Sequence, residues 1–154
     1  MRNLASERTV RSFIGRVNAH DVGGLARLMT PRHRFTDSLG ASWAGRAVMR
    51  RGWEGYFRWF PDYRIEAEVI VSSGNLVAVF GTASGSFEGH AGARGIDRFQ
   101  EPAAWLARVA GSRVADWRVF SNSSVTARIL ERHRTKPAPE SHRARREGHR
   151  RVVR

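Results

Sequence analysis

The chain has 154 residues, 41% of them hydrophobic, and a formal charge of +13 from 27 Lys or Arg against 14 Asp or Glu. That length fits one domain with room for a real core, and no apolar run reaches the roughly 18 residues that a bilayer span needs. The absence of cysteine excludes disulfides, thiol nucleophiles and cysteine-ligated metals.

The charge is uneven. Residues 131–154 hold nine Lys or Arg against three Glu, a net +6, which leaves +7 on residues 1–130. Lys136 is the only lysine among those 27 basic residues, a bias that reflects coding composition more than chemistry. The N-terminal stretch lacks the apolar core of a leader peptide, so a cytoplasmic location and no membrane partner are expected.

In chain order, residues 4–29 predict helix, with Leu4, Val10, Phe13, Ile14, Val17, Leu25 and Leu28 as the apolar stripe. The NAHDVGGL segment predicts two helices meeting at a turn, with Asp21 capping the second, and Pro31 ending the unit. His33 to Asp37 predicts a short strand with His33, Phe35 and Asp37 on one face. Six of the fifteen aromatic residues then fall between Trp53 and Tyr63. Met49, Trp53, Tyr56, Phe57 and Phe60 follow helical spacing from about Gly45, and Pro61 stops that helix.

Beyond Pro61 the period becomes that of strands. Tyr63–Ser72 alternates, with Ile65, Ala67, Val69 and Val71 on one face and Glu66 and Glu68 on the other. Ser73-Gly74-Asn75 predicts a hairpin turn, and Leu76–Phe87 a long strand curved at Gly81 and Gly85. Residues 89–95 read as a glycine-rich loop. Pro102–Val109 and Val114–Asn122 predict a last hairpin about Gly111. The order argues an α+β fold, helices packed on one face of a curved, mainly antiparallel sheet. The reading is one domain over residues 1–130, followed by a basic disordered tail over 131–154.

Several motifs recur in an order that carries more than any one of them: FIGRVNAHDVGGLARLM, FTDSLG, W-x-G-R, W-x-x-YF-x-x-FPDYRI, and PAAW-x-A-x-V-x-x-x-R-V-x-x-W-x-V. Together, over about residues 8–122, they resemble the nuclear transport factor 2-like superfamily, and within it the SnoaL-like polyketide cyclases and ketosteroid isomerase-like proteins. The resemblance implies a cone-shaped α+β barrel, homodimeric through its sheet, with a deep apolar pocket. It does not settle function, because the superfamily hosts isomerases, cyclases, epoxide hydrolases and proteins without catalysis.

The resemblance places Asp37 where relatives hold a general base. A carboxylate at the mouth of an apolar cavity can take a proton from a carbon acid; the competing reading is a cap on the FTDSLG turn. The isomerase tyrosine falls at Phe13, which donates no hydrogen bond, and the second acid falls near Ala104. Loss of one oxyanion donor typically costs 10²–10³ in rate, so steroid isomerisation by the usual mechanism is not expected. Asp97 is a replacement acid only if its loop reaches the pocket.

Phe13, Trp53, Tyr56, Phe57, Phe60 and Trp117 are the candidate pocket wall, weighed against plain core packing, and Asn122 is a candidate donor weighed against a strand-end turn. Trp105 is a candidate dimer contact. His33 shares a face with Asp37, but two strand steps separate them by about 7 Å. His20 is expected in solvent and His90 in the loop. No histidine pair has ligand spacing, so no metal and no cofactor is expected.

Three functions follow: an acid–base isomerase, cyclase or hydrolase acting on a small apolar carbonyl-type molecule with Asp37 as base; a non-catalytic hydrophobic binding module; and, through His133, Arg143, Arg145, Arg146, Arg150 and Arg151, association with nucleic acid. The tail lacks interleaved aromatics for base stacking, which ranks nucleic acid last.

Overall fold

A computed structural model describes residues 1–89 and 97–134. His90, the rest of the glycine-rich loop and the tail from residue 135 lie outside the described residues.

Helix α1 (Leu4–Asn18) begins where the Asn3 side chain accepts hydrogen bonds from the amides of Ala5 and Ser6, which the first turn otherwise leaves without partners. The expected break is real. Asp21 caps α2 (Val22–Arg27) by accepting a 2.8 Å hydrogen bond from the Gly24 amide.

Six strands form one sheet: β1 (Met29–Thr36), β2 (Ser42–Ala44), β3 (Arg64–Ser73), β4 (Leu76–Ser86), β5 (Arg98–Ala110) and β6 (Arg113–Ser121). Their order is β2-β1-β6-β5-β4-β3. The β1–β6 pair is parallel and the other pairs are antiparallel. Pro31 does not end a helical unit; it lies inside β1, and the helix has already stopped at Arg27. The β1–β6 register shifts between Met29 and Arg34, so a residue without an amide hydrogen is tolerated there.

The aromatic helix is α3 (Arg46–Trp59), with Phe60 at its C-cap. The Arg46 guanidinium donates twice to the Met29 carbonyl, at 3.0 and 2.7 Å, and the Gly45 amide donates to the His33 carbonyl at 2.8 Å. These bonds fix the start of α3 beside β1.

The simple alternation expected along β3 fails at one point. Ala67 pairs with Gly81 and Val69 with Phe80, so Glu68 is an extra residue. A bulge reverses which side chains face the core: Ile65 is buried, while Val69 and Val71 stand exposed. Gly81 makes the bulge possible, because a Cβ there would collide with the Glu66 carbonyl oxygen.

Helix α1 is pinned across β3 by polar contacts as well as by its stripe. The Asn18 amide group bonds both the N–H and the carbonyl of Ile65, at 2.8 and 2.9 Å. The buried Glu7 carboxylate takes two bonds from Arg2, at 2.8 and 2.9 Å, and one from the Ser72 hydroxyl at 2.8 Å.

Trp105 is buried and does not stand on the outer face of the sheet. Ala103, Trp105, Ala107 and Val109 alternate onto the concave side of β5, and Trp105 stacks 6.4 Å from Trp117 in the core. A fourth helix, α4 (Ser124–Arg134), was not expected and buries Ile129. It takes in the first four residues of the segment read as tail.

Candidate functional site

The concave face of the sheet has a filled end and a hollow end. Phe13 of α1 fills the first. It is fully buried, with ring centroids 4.8 Å from Trp117, 6.0 Å from His33 and 6.5 Å from Trp53.

At the hollow end the chain encloses a cavity of about 570 Å³. Helix α3 turns two adjacent stripes inward. Met49, Trp53 and Phe57 pack into the core, while Val48, Gly52, Tyr56 and Trp59, one residue over, wall the cavity with Met49 and Trp53. The sheet adds Ala83, Phe99, Glu101, Trp117 and Val119, and α4 adds Thr126, Ala127 and Leu130. The β1–β2 turn brings Asp37 and Leu39, and β2 brings Trp43, to the mouth.

Of the residues singled out from sequence, Asp37, Trp53, Tyr56 and Trp117 therefore meet at one cavity. Phe13, Phe57, Phe60 and Asn122 are not part of its wall. Phe57 stacks on His20, with centroids 4.3 Å apart and planes at 9°. Phe60 packs edge-on to Phe99 and Phe87. Asn122 accepts a 3.1 Å bond from the Ser124 amide, starting α4 as an Asx turn does.

Asp37 caps its turn, as one of its two readings has it, and it also lies at the cavity. Its Oδ1 accepts 2.9 Å hydrogen bonds from the amides of Leu39 and Ala41. That oxygen is held by the turn.

His33 is a core histidine. Its Nδ1 donates to the Val114 carbonyl at 2.7 Å, and its buried Nε2 has no partner among the described residues. Burial lowers its pKa below the usual histidine value, so the neutral ring is favoured. It does not reach Asp37's cavity wall. His20 is half-buried rather than free in solvent; its Nε2 donates to the Tyr63 carbonyl at 2.8 Å. Asp97 serves α4: Arg132 and His133 reach it at 3.0 and 3.2 Å, and the His133 ring stacks 3.9 Å from Phe87.

The acid that sequence reasoning missed is Glu101. It is half-buried in the cavity wall, and desolvation raises its pKa above the ordinary glutamate value. Burial pushes the phenols of Tyr56 and Tyr63 up as well, and the nearby Glu101 charge adds to this. Both tyrosines are therefore neutral hydroxyls, able to donate hydrogen bonds. A signal for Glu101 was present: the alternation of Trp105, Ala103 and Phe99, extended through Pro102, puts residue 101 on the inner face. Reading the strand as starting at Pro102 hid it. Among the described residues, no group of acids and histidines is arranged to hold a metal.

Residues 10–117 match the family model of the SnoaL-like domain. The chain belongs to the SnoaL-like domain family. No curated protein matches it in sequence. Solved structures share the fold at low identity. One is a protein from Jannaschia sp. CCS1 assigned to the SnoaL-like polyketide cyclases; it is 18% identical, covers 88% of this chain and 94% of its own, and has a TM-score of 0.69. An LEH-like epoxide hydrolase from M. tuberculosis is 14% identical over 84% of this chain and 91% of its own, at 0.69. A protein of ketosteroid isomerase-like fold from Catenulispora acidiphila, solved in complex with trimethylamine, is 18% identical over 79% of this chain and 92% of its own, at 0.66. The SnoaL-like α+β cone explains why α1 and α3 close over one side of a curved sheet. Among the described residues, no helix is long and apolar enough to cross a membrane.

Proposed function

We propose that this SnoaL-like chain binds a small, mainly apolar molecule in the cavity and moves a proton on it, with Glu101 as the acid–base group. One observation carries this reading: a cavity of about 570 Å³ has in its wall a carboxylate that no basic side chain pairs with among the described residues. A desolvated carboxylate is a stronger base than one in water, and its pKa moves toward neutrality, where proton transfer is most effective. Tyr56 and Tyr63 are the hydroxyls available to a developing oxyanion. Asp37 at the mouth is the second carboxylate.

Deuterium uptake tests this. The full chain is mixed in D₂O with 2-tetralone, a ketone with an acidic C–H, and exchange is followed by proton NMR. The expected result is acceleration over buffer by about 10²–10⁴, abolished by Glu101→Gln and reduced by Asp37→Asn. Exchange at the buffer rate, with tetralone demonstrably bound, overturns the catalytic reading. It leaves a binding module, the reading favoured by Asp37 Oδ1 being tied to its turn and by Phe13 and Ala104 offering no donor.

Pairing of two copies through the outer sheet face belongs to the same proposal. Val69, Val71, Phe80 and Phe120 stand exposed there, and exposed apolar patches mark association sites. Light scattering is expected to give twice the 17.4 kDa chain mass, and Phe80→Glu to restore the single mass. A wild-type chain that stays single at micromolar concentration overturns the pairing.

A further inference from the structure

The described side chains of the cavity wall include two carboxylates and no Arg, Lys or His, in a chain whose formal charge is +13. The helix sorts its charges. On α3, Arg50, Arg51 and Arg58 are exposed, whereas Val48, Gly52, Tyr56 and Trp59 face the cavity. The aromatic rings form a box rather than a stack. Tyr56 stands at 86° to both Trp53 and Tyr63, with centroids 6.3 and 5.0 Å away, and Trp53 and Tyr63 are inclined at 46°.

We propose that the cavity selects small apolar molecules that carry a positive centre, a protonated tertiary amine or a quaternary ammonium group, with Trp53, Tyr56, Tyr63 and Trp117 as the box and Glu101 as the counter-charge. This rests on the cavity being a ligand site, as proposed above. Ring faces attract a cation, most strongly where water is excluded, and a carboxylate in an apolar wall gains most from a partner of opposite charge. The net positive charge of the chain does not defeat this. Apart from Arg46, its described arginines are exposed, and their field is screened over about 8 Å at physiological salt, so the nearest carboxylates decide.

The probe pair is phenyltrimethylammonium and its uncharged carbon isostere, tert-butylbenzene. Four of the five tryptophans border the cavity, so their fluorescence reports binding to the full chain. The cation is expected to bind at least about tenfold tighter than the isostere, although the isostere is the more hydrophobic. Glu101→Gln is expected to remove most of that preference, read as the ratio of the two affinities. Equal or tighter binding of tert-butylbenzene overturns the selectivity and leaves the cavity a ligand site. A preference that survives Glu101→Gln intact overturns the role of Glu101. Binding of neither probe overturns this inference and the cavity reading together.

Discussion

The filled end and the hollow end of the concave face are built from the same aromatic residue types, yet only one of them is solid. At the filled end, Phe13 of α1 lies between Trp117, His33 and Trp53. At the hollow end the wall includes Gly52 on α3 and Ala83 on β4, and neither has a side chain that could fill the space. Aromatic content therefore does not decide whether a core is packed or open; the size of the residues beside the rings does. Trp117 belongs to both ends and shows how close the two environments are.

Truncation at the filled end gives the largest expected effect. Phe13→Ala should lower unfolding free energy by about 3–5 kcal/mol in urea titration, the range for buried aromatic deletions. Trp59→Ala, at a half-exposed position on the cavity wall, should cost under about 1 kcal/mol. Similar losses at both positions would break the distinction.

Two glutamates sharpen it next, because their shifts have opposite sign. Glu7, held by Arg2 and Ser72, has its pKa lowered from 4.5 to about 2. A folded-state pKa below the unfolded one contributes stability above about pH 4.5 that is lost as pH falls toward about 2. Glu7→Gln should flatten the acid side of the stability profile in that window. Glu101 is raised instead, so its contribution is present at low pH and fades as pH rises through the raised value. Glu101→Gln should remove that fading. Denaturant midpoints measured from pH 2 to 8 read both, and matching slopes in the two variants would contradict the assignment.

Much of this was legible in the chain and some was not. The stop at Pro61, the cap at Asp21, the turns at Gly74 and Gly111 and the α+β order are local signals, and local chemistry settles them. The Glu68 bulge was hidden because alternation looks regular through YRIEAEVIVS; only the partner strand, with Gly81 opposite, reveals the extra residue. Helical spacing placed Trp53 and Tyr56 correctly, but could not divide α3 into a packed stripe and a cavity stripe. That division depends on what stands opposite, as Phe57 against His20 shows. Asp37 caps its turn and stands at the cavity as well, and Glu101 was passed over because a proline marked the wrong strand start.

The smallest expected effect comes from Gly52. A Cβ there meets only Met49, at an ordinary 3.6 Å, so Gly52→Ala should raise stability by about 0.5–1 kcal/mol through helix propensity. Gly52→Leu should keep the fold and fill the hollow, weakening phenyltrimethylammonium binding. A destabilised Gly52→Ala in thermal unfolding would place that residue against packed atoms rather than open space.

The most direct measurement follows the five indole N–H resonances in a ¹⁵N-labelled chain titrated with phenyltrimethylammonium. Trp43, Trp53, Trp59 and Trp117 border the hollow, and Trp105 is buried away from it. The first four signals should shift together along one saturable curve while Trp105 stays in place. Signals that do not move, or a Trp105 that moves as far as the rest, would contradict a ligand site at the hollow end.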